Sequence, residues 1–376
     1  MLPEAVSEIQ KRHSMPQSLS KKSVVSGLRI FIVLTLAGFV LIFYLTGTRE
    51  TLQALEKFHF SYFLLAVLLI GLDFLSGTGR IFIFIRKVGP LSNKKAFWAS
   101  FKANLANVFL AAATPFQTGG GIAQIYMLHR AGISVAGATS VSIMNFIATL
   151  GFLLVAGLLA LHWITRSFVD FHFRFILSLS SGVFYIVTLL FLIFLFRPMV
   201  IGRAVEWVLQ RIGNRWKKKS EAFDIIISKI DGFVKNYQSH IHYFWKREKL
   251  VLFHNFWLTA VLYFNKCFVA YIVLRGMGLK PEFLQVVFIQ ILLIFLIYFC
   301  PTPGASFLAE TSAAALISLL IPHHLVSVFS VLWRFFTTYF GVIVGGVILM
   351  RTIGSRGDSG IDSLATSKDE RPDDFR

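Results

Sequence analysis

A backbone group that enters hydrocarbon without a hydrogen-bond partner costs several kcal/mol, so apolar runs long enough to cross lipid fold as helices that satisfy themselves. Six stretches of this chain, 30–46, 61–85, 136–162, 174–196, 250–274 and 325–350, are apolar over about the 20 residues a crossing helix needs. With 56% hydrophobic residues and 40 Phe among 376, the chain is read as an all-α polytopic membrane protein with six full spans. Lys11, Arg12, Lys21, Lys22 and Arg29 precede the first run, and no small-residue cleavage site follows it closely, so that run is expected to be a retained span and not a secretory signal.

Two further apolar stretches, 96–130 and 284–320, contain what a crossing helix should not. The first carries "TPFQTGGG" at 114–121 and the second "CPTPGASFLAE" at 300–310. Pro115 removes a donor and three consecutive glycines at 119–121 disfavour helix, which predicts helix 96–113, a turn, and a short helix 121–131. The second stretch predicts helix 284–299, a turn at Pro301, Pro303 and Gly304, and helix 305–320. Ala99, Ala103 and Ala106 form a small-residue stripe read as close helix packing.

Charge decides whether these stretches cross. If both are re-entrant, segments 1–29, 80–95, 197–249 and 351–376 share one face and hold 27 Lys and Arg against five in the loops 48–60, 163–172 and 275–283. The positive-inside bias then places both termini in the cytoplasm, as expected for a bacterial inner-membrane protein. It also makes the hairpins enter from opposite faces, in corresponding positions of two halves, the pattern of inverted repeats around a midplane site. The +18 balance is then explained by cytosolic loops beside anionic lipid and not by nucleic acid, for which no motif is present. Residues 1–29 are read as a basic cytoplasmic segment, 30–350 as the membrane domain, and 351–376 as a disordered tail. Within the domain, 197–249 forms an insertion of two amphipathic helices, with Val205, Val208, Leu209, Ile212 and Trp216 on one and Phe223, Ile226, Ile227, Ile230, Val234 and Tyr237 on the other.

Charged residues at membrane depth cost about 2.5–3.5 kcal/mol near the centre, so those retained are candidates for function. They are Asp73, Arg80, Lys102, Lys266, Glu310 and Arg334. Cations outnumber anions, and two helix N-termini at the breaks present unsatisfied N–H groups, which together favour an anionic headgroup. Asp73 and Arg80, seven apart, share a helix face and are expected to brace each other or a neighbour; Arg80 snorkelling to the cytoplasmic edge is the competing reading. Lys102 precedes the first break, Gln117 lies in it, and Gln124 follows it where its amide lines a cavity. Arg130 marks the cytosolic boundary. Glu310 either joins the site, caps its helix, or neutralises Arg334 or Lys266. Asn145 and Asn265 are read as interhelical hydrogen-bond glue. Cys267 and Cys300 lack partner spacing for a metal or disulfide, and no cofactor or catalytic motif is present.

"TPFQTGGGIAQIYMLHRAGIS" (114–134), "PTPGASFLAETSAA" (301–314) and "WRFFTTYFGVIVGG" (333–346) resemble the transmembrane region of lysylphosphatidylglycerol synthases, a flippase-like domain also found alone. The similarity extends over about 27–350. It implies site roles for Thr114, Pro115, Gly119, Gly120 and Gln124 in the first motif, for Pro301, Thr302, Pro303, Gly304 and Glu310 in the second, and for Arg334 and Tyr339 beyond. The second motif departs from the commoner Pro-Gly-Gly pattern, with Ala305-Ser306-Phe307 after Gly304, which implies a tighter turn. Nothing after residue 350 corresponds to the soluble aminoacyl-transferase domain, so synthase activity is not implied. The expected function is translocation or binding of an anionic lipid or lipid-linked precursor. The competing classes are a membrane-embedded transferase with Glu310 as base, and a scaffold or regulatory subunit that self-associates or docks a partner through 197–249. The bland reading of the breaks is a pair of packing kinks lining nothing.

Overall fold

The computed structural model describes residues 21–46, 58–167, 244–298 and 300–354, with single positions at 186, 189 and 190. The regular structure there is helical. In chain order the α-helices are α1 (Lys21–Thr46), α2 (Phe60–Val88), α3 (Asn93–Ala112), α4 (Thr118–Arg130), α5 (Val135–Ser167), α6 (Lys249–Gly276), α7 (Phe283–Tyr298), α8 (Leu308–Ile317), α9 (His323–Arg334) and α10 (Phe340–Gly354). Among the described residues five segments are long and apolar enough to cross a membrane: Val25–Leu45, Phe60–Val88, Gly137–Trp163, Lys249–Gly276 and His323–Thr352. The fold is an all-α polytopic membrane protein. The sixth expected span, 174–196, the amphipathic insertion and the tail beyond 354 lie outside the described residues.

The frame is an antiparallel pair. At one end of the bundle His59 N donates to the Gly276 carbonyl across 3.0 Å. At the other, Lys87 Nζ lies 3.1 Å from the Glu248 carboxylate and the Phe84 and Phe244 rings meet edge to face at 5.2 Å. So α2 and α6 run side by side in opposite senses. Short linkers then fix the rest: α2 ends, α3 begins, α4 ends and α5 begins at one end, while α6 ends, α7 begins, α8 ends and α9 begins at the other.

The two helical hairpins, α3–α4 and α7–α8, therefore enter the bundle from opposite ends. Small residues allow the close approach this requires. Ala103 and Ala106 are fully buried on α3, as the alanine stripe predicts. A Cβ at Gly345 of α10 would fall 2.1 Å from the Leu105 carbonyl oxygen, closer than any side chain tolerates. The packed interior divides into a cluster around α2, α3, α4 and α5, another between α5, α6 and α7, and a third joining α2 and α6 to α8 and α9.

The last span is interrupted. A π-turn over Phe335–Tyr339 separates α9 from α10, where the sequence predicts one continuous helix. Such single-turn insertions re-aim the side chains that follow, and this one begins immediately after Arg334.

Candidate functional site

The two breaks touch. Phe116 N donates to the Cys300 carbonyl across 3.2 Å and Gln117 Nε2 to the Ile297 carbonyl across 3.4 Å, joining the turn of one hairpin to the turn of the other. Each turn is a short 3₁₀ segment, Pro115–Gln117 and Pro303–Ala305. Among the described residues, the non-glycine positions with positive φ are Phe116, Gln117, Ala305 and Phe307. All four lie at the breaks. Each such residue costs about 1–3 kcal/mol, strain that persists only where surrounding packing over-determines it and that gathers at functional positions.

The glycines of the first break do not make its turn. The turn forms at Pro115–Gln117, and Gly119, Gly120 and Gly121 fall in the opening turn of α4, where the sequence predicts irregular backbone. Their role is proximity: a Cβ at Gly119 would meet the Thr114 side chain at 2.7 Å and one at Gly120 the Asn107 side chain at 2.9 Å. Thr114 Oγ1 accepts the Gly119 N–H at 2.9 Å and donates to the Leu110 carbonyl, so the start of α4 is capped by its own chain. Gln124 is buried. Its carbonyl accepts from Asn107 Nδ2 at 3.2 Å, and its amide nitrogen has no partner.

At the second break, Thr302 Oγ1 donates to the Ser306 carbonyl at 3.0 Å and Gly304 adopts φ +58° with its Cα facing the Phe31 ring. The chain then supplies its own anion: Glu310 sits in the first turn of α8, where the helix dipole favours a carboxylate. Arg334 Nε lies 2.8 Å from Glu310 Oε1, and the pair is almost fully buried. The guanidinium also donates to the Gly304 carbonyl at 3.1 Å and to Thr338 Oγ1 at 3.2 Å, while Tyr339 Oη donates to Glu310 Oε1 at 3.4 Å. Thr338 and Tyr339 both lie in the π-turn. Glu310 Oε2 is buried without a hydrogen-bond partner.

One wall comes from α1, which the sequence predicts as an ordinary span. Phe31, Thr35, Gly38 and Ile42 form a narrow stripe by which α1 docks on both breaks. A Cβ at Gly27 would fall 2.1 Å from the Ala113 carbonyl oxygen, and one at Gly38 would meet Glu310 Cβ at 3.3 Å. Thr35 Oγ1 donates to Ser306 Oγ at 3.1 Å, and the Phe31 and Phe39 rings each stand edge-on to Tyr339 at 6.1 Å. Most other apolar side chains of α1 face outward.

The remaining candidates lie elsewhere. Asp73 does not pair with Arg80; its carboxylate lies 2.9 Å from Lys266 Nζ, because the antiparallel α2–α6 pair sets these residues opposite each other. Arg80 does not snorkel. It is buried and donates to the Asn145 carbonyl at 2.6 Å, Thr149 Oγ1 at 2.8 Å and Asn255 Oδ1 at 3.4 Å, tying α2 to α5 and α6. Asn265 bridges α6 to α2 through the Leu69 carbonyl at 2.8 Å, as expected of interhelical glue, whereas Asn145 contributes its backbone and its Oδ1 has no partner. Lys102 is exposed on α3, about 16 Å along the helix from Ala113 at 1.5 Å per residue. Among the described residues no three His, Cys, Asp or Glu side chains gather as a metal site.

Residues 27–345 match the family described as the lysylphosphatidylglycerol synthase TM region. The chain belongs to that family. The match takes in both hairpins, the Glu310–Arg334 pair and α1 from Gly27 onward, so the family region contains every contact of the two breaks described above. A curated relative, a UPF0104 membrane protein of Archaeoglobus fulgidus, is 22% identical over 326 residues, covering 85% of this chain and 94% of the relative. No solved structure matches the chain significantly.

Proposed function

We propose that this member of the lysylphosphatidylglycerol synthase transmembrane-region family moves an anionic phospholipid or lipid-linked precursor between the leaflets of a cytoplasmic membrane, both termini facing the cytosol. The observation that carries this reading is the tip-to-tip contact of Phe116 with Cys300, between hairpins that enter from opposite ends. Broken helices meeting inside a bundle from opposite sides are how transporters build a site reachable from either face.

In this reading both hairpins are re-entrant and the substrate phosphate binds at the second break. A guanidinium carries five N–H donors, of which Arg334 spends three on Glu310, Thr338 and Gly304. The phosphate takes the place of the Glu310 carboxylate on Arg334 and at the start of α8, where both fixed positive potentials already point. Thr302, Pro303 and Gly304 shape that pocket, and Thr114, Pro115, Gln117, Gly119, Gly120 and Gln124 form its counterpart on the other hairpin. Arg334 is only 2% exposed, so access requires α1 to move off its narrow stripe as one half of the bundle rocks against the other. Asp73, Lys266 and Arg80 hold α2, α5 and α6 as the frame for that motion. No bond chemistry is performed, and a lipid gradient, an ion gradient or a partner protein supplies direction.

The test is transbilayer movement of a short-chain fluorescent phosphatidylglycerol in proteoliposomes, read by albumin extraction from the outer leaflet. The protein should accelerate it, and Arg334→Ala should slow it by about tenfold or more, the effect of losing one charge-assisted contact. Movement no faster than in protein-free vesicles would reject the reading.

A further inference from the structure

Lys94, Lys95, Trp98 and Lys102 recur at spacings that share one face of α3, and that face forms a wall of a cleft of about 630 Å³. Arg130 from the end of α4 and Thr352 of α10 stand across it. Arg130 is held in place by Tyr126 Oη at 3.2 Å and by the Thr352 carbonyl. Among the described residues none of these four cations has a carboxylate within 4 Å; the ion pairs there engage Lys87, Lys266 and Arg334 instead. Uncompensated like charges around a concavity focus a positive potential into it. Lys94 and Lys95 also occupy the first turn of α3, the helix end at which cations are disfavoured. Charge gathered against both effects is stabilised by an anion that enters the cleft.

Trp98 identifies the depth. Its ring is half exposed and packs edge to face with Phe97 and Phe101 at 5.8 and 5.7 Å. An amphipathic ring beside lysines, at the end of the bundle where α2 finishes and α3 begins, belongs at headgroup level. We infer that this cleft is a second, interfacial binding site for the phosphate of an anionic phospholipid headgroup, separate from the meeting point of the breaks and independent of whether the protein moves lipid.

The test uses the full chain in phosphatidylcholine vesicles containing a minor fraction of lipid brominated near the headgroup end of its acyl chains. Quenching of Trp98 is the difference between the wild type and Trp98→Phe. Brominated phosphatidylglycerol should quench Trp98 more strongly than the same fraction of brominated phosphatidylcholine, and each lysine removed from the cleft should lower the preference about fivefold. The Lys94→Gln/Lys95→Gln/Lys102→Gln variant should abolish it with helicity and thermal unfolding unchanged, whereas Lys246→Gln/Arg247→Gln, exposed residues before α6, should preserve it. Glycerol 1-phosphate, added in solution, distinguishes sources: competition shows that the cleft takes the phosphate group from either phase, and its failure shows a site restricted to lipid. Equal quenching by both lipids with no response to glycerol phosphate overturns the proposal, as does an equal loss of preference in the Lys246/Arg247 variant, which would mean diffuse surface charge.

Discussion

Arg334 and Glu310, 24 residues apart, form an ion pair of 2.8 Å that is sealed from solvent on every side. Taking two charges out of water is costly, and their attraction offsets that cost only when geometry is good and the remaining donors are satisfied. Here the guanidinium also donates to Gly304 and Thr338, while one carboxylate oxygen has no partner. The pair holds the second break to the π-turn.

Removing one partner should therefore be worse than removing both. Glu310→Gln and Arg334→Met each leave a buried charge or donor set unmatched, at a cost of about 3–5 kcal/mol, whereas the double variant should recover much of the loss. Thermal unfolding of the four proteins in detergent checks this. Additive losses in the double variant would mean that the two side chains act independently.

The Asp73–Lys266 pair should matter less to stability. At 18% and 25% exposure the two side chains are less enclosed than Glu310 and Arg334, and a less enclosed charge costs less to leave unpaired. Asp73→Asn should lower the unfolding temperature by clearly less than Glu310→Gln, and the exchange Asp73→Lys/Lys266→Asp should restore most of it. A loss as large as that of Glu310→Gln would place this pair in a drier setting than the packing indicates.

Glycine positions separate close approach from mere composition. Gly345→Ala should destabilise by about 1–3 kcal/mol because its Cβ would strike the Leu105 carbonyl. Gly71→Ala, with nothing within 4 Å of the added carbon, should be neutral or slightly stabilising through helix propensity. Equal unfolding temperatures for the two variants would contradict the α3–α10 contact.

The docking of α1 on the breaks predicts a gate. With Cys267 and Cys300 replaced by alanine, oxidation of a Thr35→Cys/Ser306→Cys protein should join α1 to the second break, since the two hydroxyls lie 3.1 Å apart. Lipid movement should stop on oxidation and return on reduction. Undiminished movement in fully cross-linked protein would mean that α1 stays in place throughout the cycle.

Much of this architecture is legible in the sequence, because lipid leaves a backbone few alternatives. The apolar runs predict the five described spans, and Pro115, Pro303 and Gly304 predict both turns to within a few residues. Partner choice is not legible. Asp73 and Arg80 share a helix face, yet each finds its partner across helices, a consequence of the antiparallel α2–α6 register that no local spacing encodes. The role of α1 is hidden for a different reason: the stripe Phe31, Thr35, Gly38 and Ile42 lies in a run apolar on all sides, where periodicity carries no signal. The glycines at 119–121 mislead, since their small size serves packing and not the turn. Lys102 does not face the breaks, because nearness in sequence to a break says nothing about which helix face carries the residue.

The meeting of the hairpins is most directly tested by locking it. In a Cys267→Ala background, Phe116→Cys can be oxidised onto native Cys300, whose backbone already contacts residue 116 across 3.2 Å, and transbilayer movement of labelled phosphatidylglycerol followed before and after reduction. Efficient cross-linking, arrest of movement in the oxidised protein and recovery on reduction are expected. Absence of any cross-link, or lipid movement that proceeds unchanged through a fully locked junction, would contradict this expectation.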